Sequence, residues 1–224
     1  MLKTTSRTET PEIYRDLHSR LTMGGLAPGE KLLPAPLCKR YGCSANTLRE
    51  VLFRLSSVGL VVFEEQRGFR ARRSSARRQH DLTTFRIMLE QEGATMSMRR
   101  GGIAWEAQLT AAHHKLSHIE TEISRAGAIE PVLTLWCQAE WEFHDALGAA
   151  CDSPLLRETY KSIYDQFRQQ LVTRERKFGY FSDNVAEHRL ILDAALARDE
   201  EACRMHIHNH LARNLSPQES SSSM

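Results

Sequence analysis

Four residues in the second half of the chain have the types and spacing of a metal-binding set. Eight of the ten histidines lie beyond residue 81. In a helical reading of this region, Glu140 and His144 stand one turn apart and share a face. His188 falls in the first turns of a later helix, in Glu187-His188-Arg-Leu-Ile-Leu. His210 falls in the last one, in His206-Ile-His208-Asn-His210-Leu. Imidazoles with one carboxylate suit a borderline divalent cation, and converging helices can hold them. Spacing alone leaves a plain surface role open, as for the His114/His118 pair. His206, one turn before His210, is an alternative ligand.

A second group has the types that read DNA. Asn46, Thr47 and Arg49 follow Ser44 at the start of an amphipathic stretch. Arginine can pair with guanine through two hydrogen bonds, and asparagine with adenine. Gln66-Arg67-Gly68 reads as a hairpin tip, from which Arg67 can reach phosphates or the minor groove. The bland alternative is a small helical subdomain with a solvated face, because helix-turn-helix spacing recurs widely.

These residues need elements to position them. In the front of the chain, Ile13, Leu17 and Leu21 recur every four residues, which predicts a helix over 12–23. Gly24-Gly25 stops it. A short helix over 35–41, a turn at Gly42 and a helix N-capped by Ser44 follow. The inward face of that third helix is Leu48, Val51, Leu52 and Leu55. Residues 60–63 and 69–72 are short strands with Gly68 between them. A helix, a turn and a second helix followed by a hairpin make a winged helix-turn-helix, with Ser44 to Arg49 facing the major groove. The back reads as helices near 81–100, 104–126, 131–150, 154–176, 182–197 and 199–213, an antiparallel bundle of six or seven helices. The fold class is therefore mainly α. The domains are 10–73 for DNA binding, 74–80 as linker, 81–213 as a helical effector-binding and dimerisation domain, and 214–224 as a disordered tail.

Charge follows the same division. The formal net charge is +2, but residues 1–80 carry +8 and the remainder −6. A basic front suggests a polyanionic partner, and an acidic back does not. At 41% hydrophobic and 26% charged, the 224 residues can bury a real core, which excludes a disordered chain. No run approaches the ~18 apolar residues of a membrane span, and the first dozen residues lack the apolar core of a signal peptide. The five cysteines are scattered, with no CxxC. They are expected to be buried and inert, in a reducing cytoplasm. Trp136, Trp141 and Phe143 are expected in the core.

The order of motifs carries a resemblance. Gly25-Leu-Ala-Pro-Gly29-Glu-Lys-Leu, then Tyr41-Gly-Cys-Ser44-Ala-Asn-Thr-Leu-Arg49, then Gly59-Leu-Val and Arg67-Gly68-Phe resemble the N-terminal domain of GntR-family transcription regulators. Ala45 departs from an arginine common in the family, and Ala35-Pro36-Leu37 from the usual polar helix start. The resemblance therefore implies an altered operator, or more weight on Arg49 and the wing. Glu90 after Arg86, Phe143-His144, and Glu187-His188 through His210-Leu211 resemble the all-helical C-terminal domain of the FadR-type branch.

That resemblance implies a divalent metal (zinc, nickel or manganese class) on Glu140, His144, His188 and His210, with Glu140 where the family more often has aspartate. It implies a small carboxylate effector, with Arg86 and secondarily Arg168 as its arginine partners. Against this, Arg86 can simply pair with Glu90. The implied protein is a homodimeric repressor on a near-palindromic double-stranded DNA operator, without a membrane partner. Two other readings stand beside it. One is a hydrolase-like enzyme using the metal to activate water, for which no HExxH-type motif is present. The other is an interaction module whose basic front binds something other than DNA.

Overall fold

The turn between the second and third helices shows how the sequence makes the front of the molecule. In the computed structural model, α2 spans Pro34–Tyr41 and ends at Gly42, whose φ of 61° is left-handed. Glycine takes that conformation without the Cβ clash other residues suffer. The Ser44 hydroxyl then accepts from Thr47 N–H at 3.1 Å and starts α3, Ala45–Ser57. α1 spans Thr10–Thr22, beginning two residues before the expected start. There the Glu12 carboxylate reaches back to accept from Glu9 N–H at 3.3 Å. β1 (Val61–Glu64) and β2 (Gly68–Ala71) pair antiparallel with Val61 opposite Ala71 and Glu64 opposite Gly68. Lys31 adds a bridge to Arg70 on the outer side of β2. Gln66 and Gly68, both at positive φ, turn the hairpin.

The structure describes residues 9–127, 132–171 and 183–215. The expected helix start at Pro131, the end of the 154–176 helix beyond 171, residue 182 and residues 216–224 of the expected tail lie outside them. Contacts divide the chain into Met1–Ser75 with Asp165–Lys177, and Ala76–Tyr164 with Phe178–Met224. The division after Ser75 lies two residues beyond residue 73, where the sequence reading ends the DNA-binding domain. Residues 165–171 group with the front because Gln169 Nε2 donates to Leu60 O at 2.9 Å and Ser75 N donates to Gln170 Oε1 at 3.1 Å. The stretch 76–80, read as linker, is helical.

The front unit closes on one apolar cluster. Ile13, Leu17 and Leu21 of α1 meet Leu48, Val51, Leu52 and Leu55 of α3, all at most 1% exposed. Phe69 and Ala71 cover one edge from the hairpin.

The second unit holds six helices among the described residues. They are α4 (Ala76–Arg100), α5 (Ile103–Ala126), α6 (Leu133–Leu147), α7 (Pro154–Leu171, its last turns grouped with the front), α8 (Asn184–Leu196) and α9 (Glu200–Ala212). α4 packs on α6, α8 and α9, and α5 packs on α6 and α8. A glycine lets α4 lie close to Leu156 of α7. A Cβ on Gly93 would stand 3.3 Å from Leu156 Cδ2 and 3.5 Å from the Cα of Gly148, the residue that ends α6. Trp136 and Phe143 are buried as expected, whereas Trp141 is half-buried. Cys137, Cys151 and Cys203 are buried, but Cys38 and Cys43 are only half-buried, on and just after the short α2. Burial, with Glu90 and Asp199 nearby, pushes the Cys203 thiol up to about 12.

The front core makes a direct prediction. Leu52 is fully buried, so Leu52→Ala is expected to cost about 2–5 kcal/mol in denaturant unfolding. Phe53→Ala, at a neighbouring position 46% exposed, is expected to cost clearly less. Equal losses would contradict the packing described.

Candidate metal centre

Glu140 and His144 project from α6 one turn apart, His188 from α8 and His210 from α9. One ligand atom from each can be chosen so that all four lie within 4.8 Å of one another. All four residues are buried, between 1% and 6% exposed. His210, not the half-buried His206, joins the cluster. The rings themselves are adjacent, with centroids 4.5 Å apart for His188 and His210 and 5.3 Å for His144 and His210.

Each histidine has a carboxylate behind it. His144 Nδ1 lies 2.5 Å from Glu90 Oε1, His188 Nδ1 lies 3.2 Å from Glu120 Oε2, and His210 Nδ1 lies 2.7 Å from Glu187 Oε2. The opposite nitrogens of His144 and His188, both Nε2, are buried without a hydrogen-bond partner among the described residues. His144 Nε2 faces Glu140 Oε1 at 3.5 Å, too far for a good hydrogen bond. A buried nitrogen left in this state costs roughly 1–3 kcal/mol. A cation among these donors removes that cost, and three imidazoles with one carboxylate fit a zinc-class divalent ion.

The electrostatics separate two kinds of histidine. Burial, reinforced by His188 and His144, holds the His210 imidazole well below its ordinary range, so it is neutral and has a lone pair to give. Burial also opposes charge on His144, but the Glu90 carboxylate outweighs it and raises the imidazole. Burial would raise Glu90 too, yet His144 and Arg86 overcome it and hold the carboxyl down at about 2.

Arg86 is 1% exposed, and its Nε donates to Glu90 Oε2 at 3.2 Å while the guanidinium lies over the Tyr164 ring. The pairing with Glu90 that the sequence left open is therefore formed. Arg168 is buried on α7, in the stretch grouped with the front unit.

The nucleic-acid candidates lie on the front unit. Asn46 and Arg49 are exposed on the first turns of α3. Ser44 and Thr47 are engaged with each other, hydroxyl to hydroxyl at 2.8 Å, at the capped start of the helix that presents the other two. Arg67 is exposed at the hairpin turn, 3.8 Å from Glu64, beside Gly68 at φ 78°.

Residues 10–70 match the family of bacterial regulatory proteins called gntR, and residues 81–213 match the FCD domain. The chain belongs to the GntR family. It is 34% identical over 209 residues to the HTH-type transcriptional regulator BphR of Paraburkholderia xenovorans, spanning 89% of this chain and 82% of that one. It is 29% identical over 202 residues to the HTH-type transcriptional repressor GlaR of Escherichia coli, spanning 88% and 90%. Among solved structures, McbR/YncC of E. coli superposes with a TM-score of 0.72 at 21% identity, covering 92% of this chain and 94% of that one. A putative GntR regulator from Rhodococcus gives 0.73 at 21% identity, covering 91% and 94%. The fold is thus that of GntR regulators with an FCD domain, and the chain is a transcriptional regulator. Its relatives are regulators and not enzymes, which sets the hydrolase reading aside. GntR regulators bind DNA operators, which sets aside the interaction module without DNA. No described helix is long and apolar enough to cross a membrane.

Sequence reasoning missed Glu120 and Glu187 as partners of the histidines and treated Glu90 only as a partner of Arg86. It also passed over His113, which is 7% exposed and held at about 4 by burial, with His188 and Arg189 adding to the effect. An unfolded histidine titrates near 6.5. The unfolded chain therefore takes up this proton first, and stability is lost as pH falls from about 6.5 towards 4. His113→Gln is expected to shrink that acid-side loss, read as the difference in urea unfolding between about pH 7 and pH 5. An unchanged difference would contradict the assignment.

Proposed function

We propose that this GntR regulator is a homodimeric repressor acting in the cytoplasm. Its operator affinity is set by a small carboxylate bound in the FCD bundle beside a divalent metal. The observation that carries the sensor half is the buried set Glu140, His144, His188 and His210, with two Nε2 atoms lacking partners among the described residues. A metal held there would supply a Lewis-acidic position for a carboxylate oxygen. Arg86 is engaged by Glu90, so its guanidinium supports the site through that carboxylate and lends positive potential to an arriving anion. The repressor direction is supported by likeness to GlaR, which is described as a repressor.

The DNA half rests on α3 and the hairpin. Asn46 and Arg49 read base edges, Ser44 and Thr47 hold the helix start, and Arg67 beside Gly68 contacts the backbone or minor groove. A two-fold dimer presents two such helices to two half-sites, which requires a near-palindromic operator. An effector shifts operator affinity only if it binds one arrangement of the dimer better than the other. Couplings of about 1–3 kcal/mol are usual for such systems.

Two experiments test these halves separately. In gel shifts on the operator, Arg49→Ala is expected to cost about 1–3 kcal/mol and relax specificity, while Arg67→Ala lowers the salt slope by roughly one. Unchanged operator binding by both variants would contradict the interface. In calorimetric titration of the metal-free chain, zinc is expected to bind one ion per chain, and His188→Ala to abolish it. No zinc binding by the wild type would remove the metal.

A further inference from the structure

The carboxylates behind the histidines do more than fill hydrogen bonds. A neutral imidazole carries its one proton on either nitrogen, and only the other can bind a cation. Which one is free is set by the partner of the first. Here all three imidazoles turn the same atom, Nδ1, towards a carboxylate. The partners come from three different helices: Glu90 from α4, Glu120 from α5 and Glu187 from α8.

Each carboxylate is itself held by a second donor. Glu90 Oε2 accepts from Tyr160 Oη at 2.8 Å and from Arg86 Nε at 3.2 Å, leaving Oε1 to His144. Glu120 Oε1 accepts from Trp136 Nε1 at 3.3 Å, leaving Oε2 to His188. Glu187 is paired with Arg213, whose Nη1 also donates to Asn184 Oδ1 at 3.0 Å. A histidine buried only for packing would be expected to satisfy both nitrogens. Among the described residues, His144 and His188 each satisfy Nδ1 and leave Nε2 buried without a partner.

We propose that Glu90, Glu120 and Glu187 are positioning residues that hold His144, His188 and His210 as Nδ1–H tautomers, so three Nε2 lone pairs face the cation position before a cation arrives. This rests on the metal reading above. The preset tautomers remove the need to move three protons and rotate three rings when the ion binds. Such outer partners typically contribute 10–100-fold in metal affinity.

Glu120→Gln is the cleanest variant, because glutamine keeps the volume but has one acceptor oxygen for two donors, Trp136 and His188. Zinc affinity, measured by chelator competition, is expected to fall about 10–100-fold in Glu120→Gln and in Glu187→Gln. Wild-type affinity in both folded variants would overturn the positioning role while leaving the metal reading intact. If wild-type protein binds no zinc, the metal reading falls and this one with it. Should the variants fail to fold, nitrogen-15 NMR of the metal-free wild type decides alone. In their neutral forms the three imidazoles are expected as Nδ1–H tautomers, whereas model histidine favours Nε2–H. Nε2–H signals for these residues would overturn the proposal even if zinc binds.

Discussion

Polar groups taken out of water must find partners inside the protein, and this requirement organises the FCD bundle. Glu90, Glu120, Glu140, His144, His188 and His210 are all buried among helices whose inward faces also carry leucine, isoleucine, phenylalanine and alanine. Removing one partner from such a set leaves a buried charge or lone pair, which costs far more than the net gain of a single hydrogen bond. The helices that supply the carboxylates are therefore bound to those that supply the histidines. α4 is tied to α6 through Glu90 and His144, and α5 to α8 through Glu120 and His188.

The front unit depends on a different and more local logic. Its helix boundaries are set by residues adjacent in sequence: Gly42 at positive φ, the Ser44 cap, and the Glu9–Glu12 contact. Its core is made by leucines at helical spacing. That is why α2, α3 and the hairpin were legible from sequence almost to the residue, and why the start of α1 shifted by only two. The misreading at 76–80 has a physical cause. A run of arginines and serines suggested a linker, yet Ala76, Arg77 and Arg78 are compatible with helix, and α4 extends through them.

The candidate metal site was legible in part for the same reason. Glu140 and His144 are one turn apart, so their shared face could be read from spacing. Joining them to His188 and His210 needed the family resemblance, and choosing His210 over His206 needed burial. The carboxylate partners were beyond reach. Glu90 is 54 residues from His144, and Glu120 is 68 from His188. No helical period links such pairs, and only the packing of α4 on α6 and α5 on α8 brings them together. Arg86 was read as either an effector partner or a partner of Glu90, and its ion pair with Glu90 is present.

The depth of the four ligand residues has a consequence for time. With these residues 1–6% exposed, an ion held among them would leave only when the helices part. Its residence would follow the free energy of that opening, lengthening about tenfold for each 1.4 kcal/mol. An ion so held becomes a long-lived part of the fold, set when the chain matures and slow to follow changes in cellular supply.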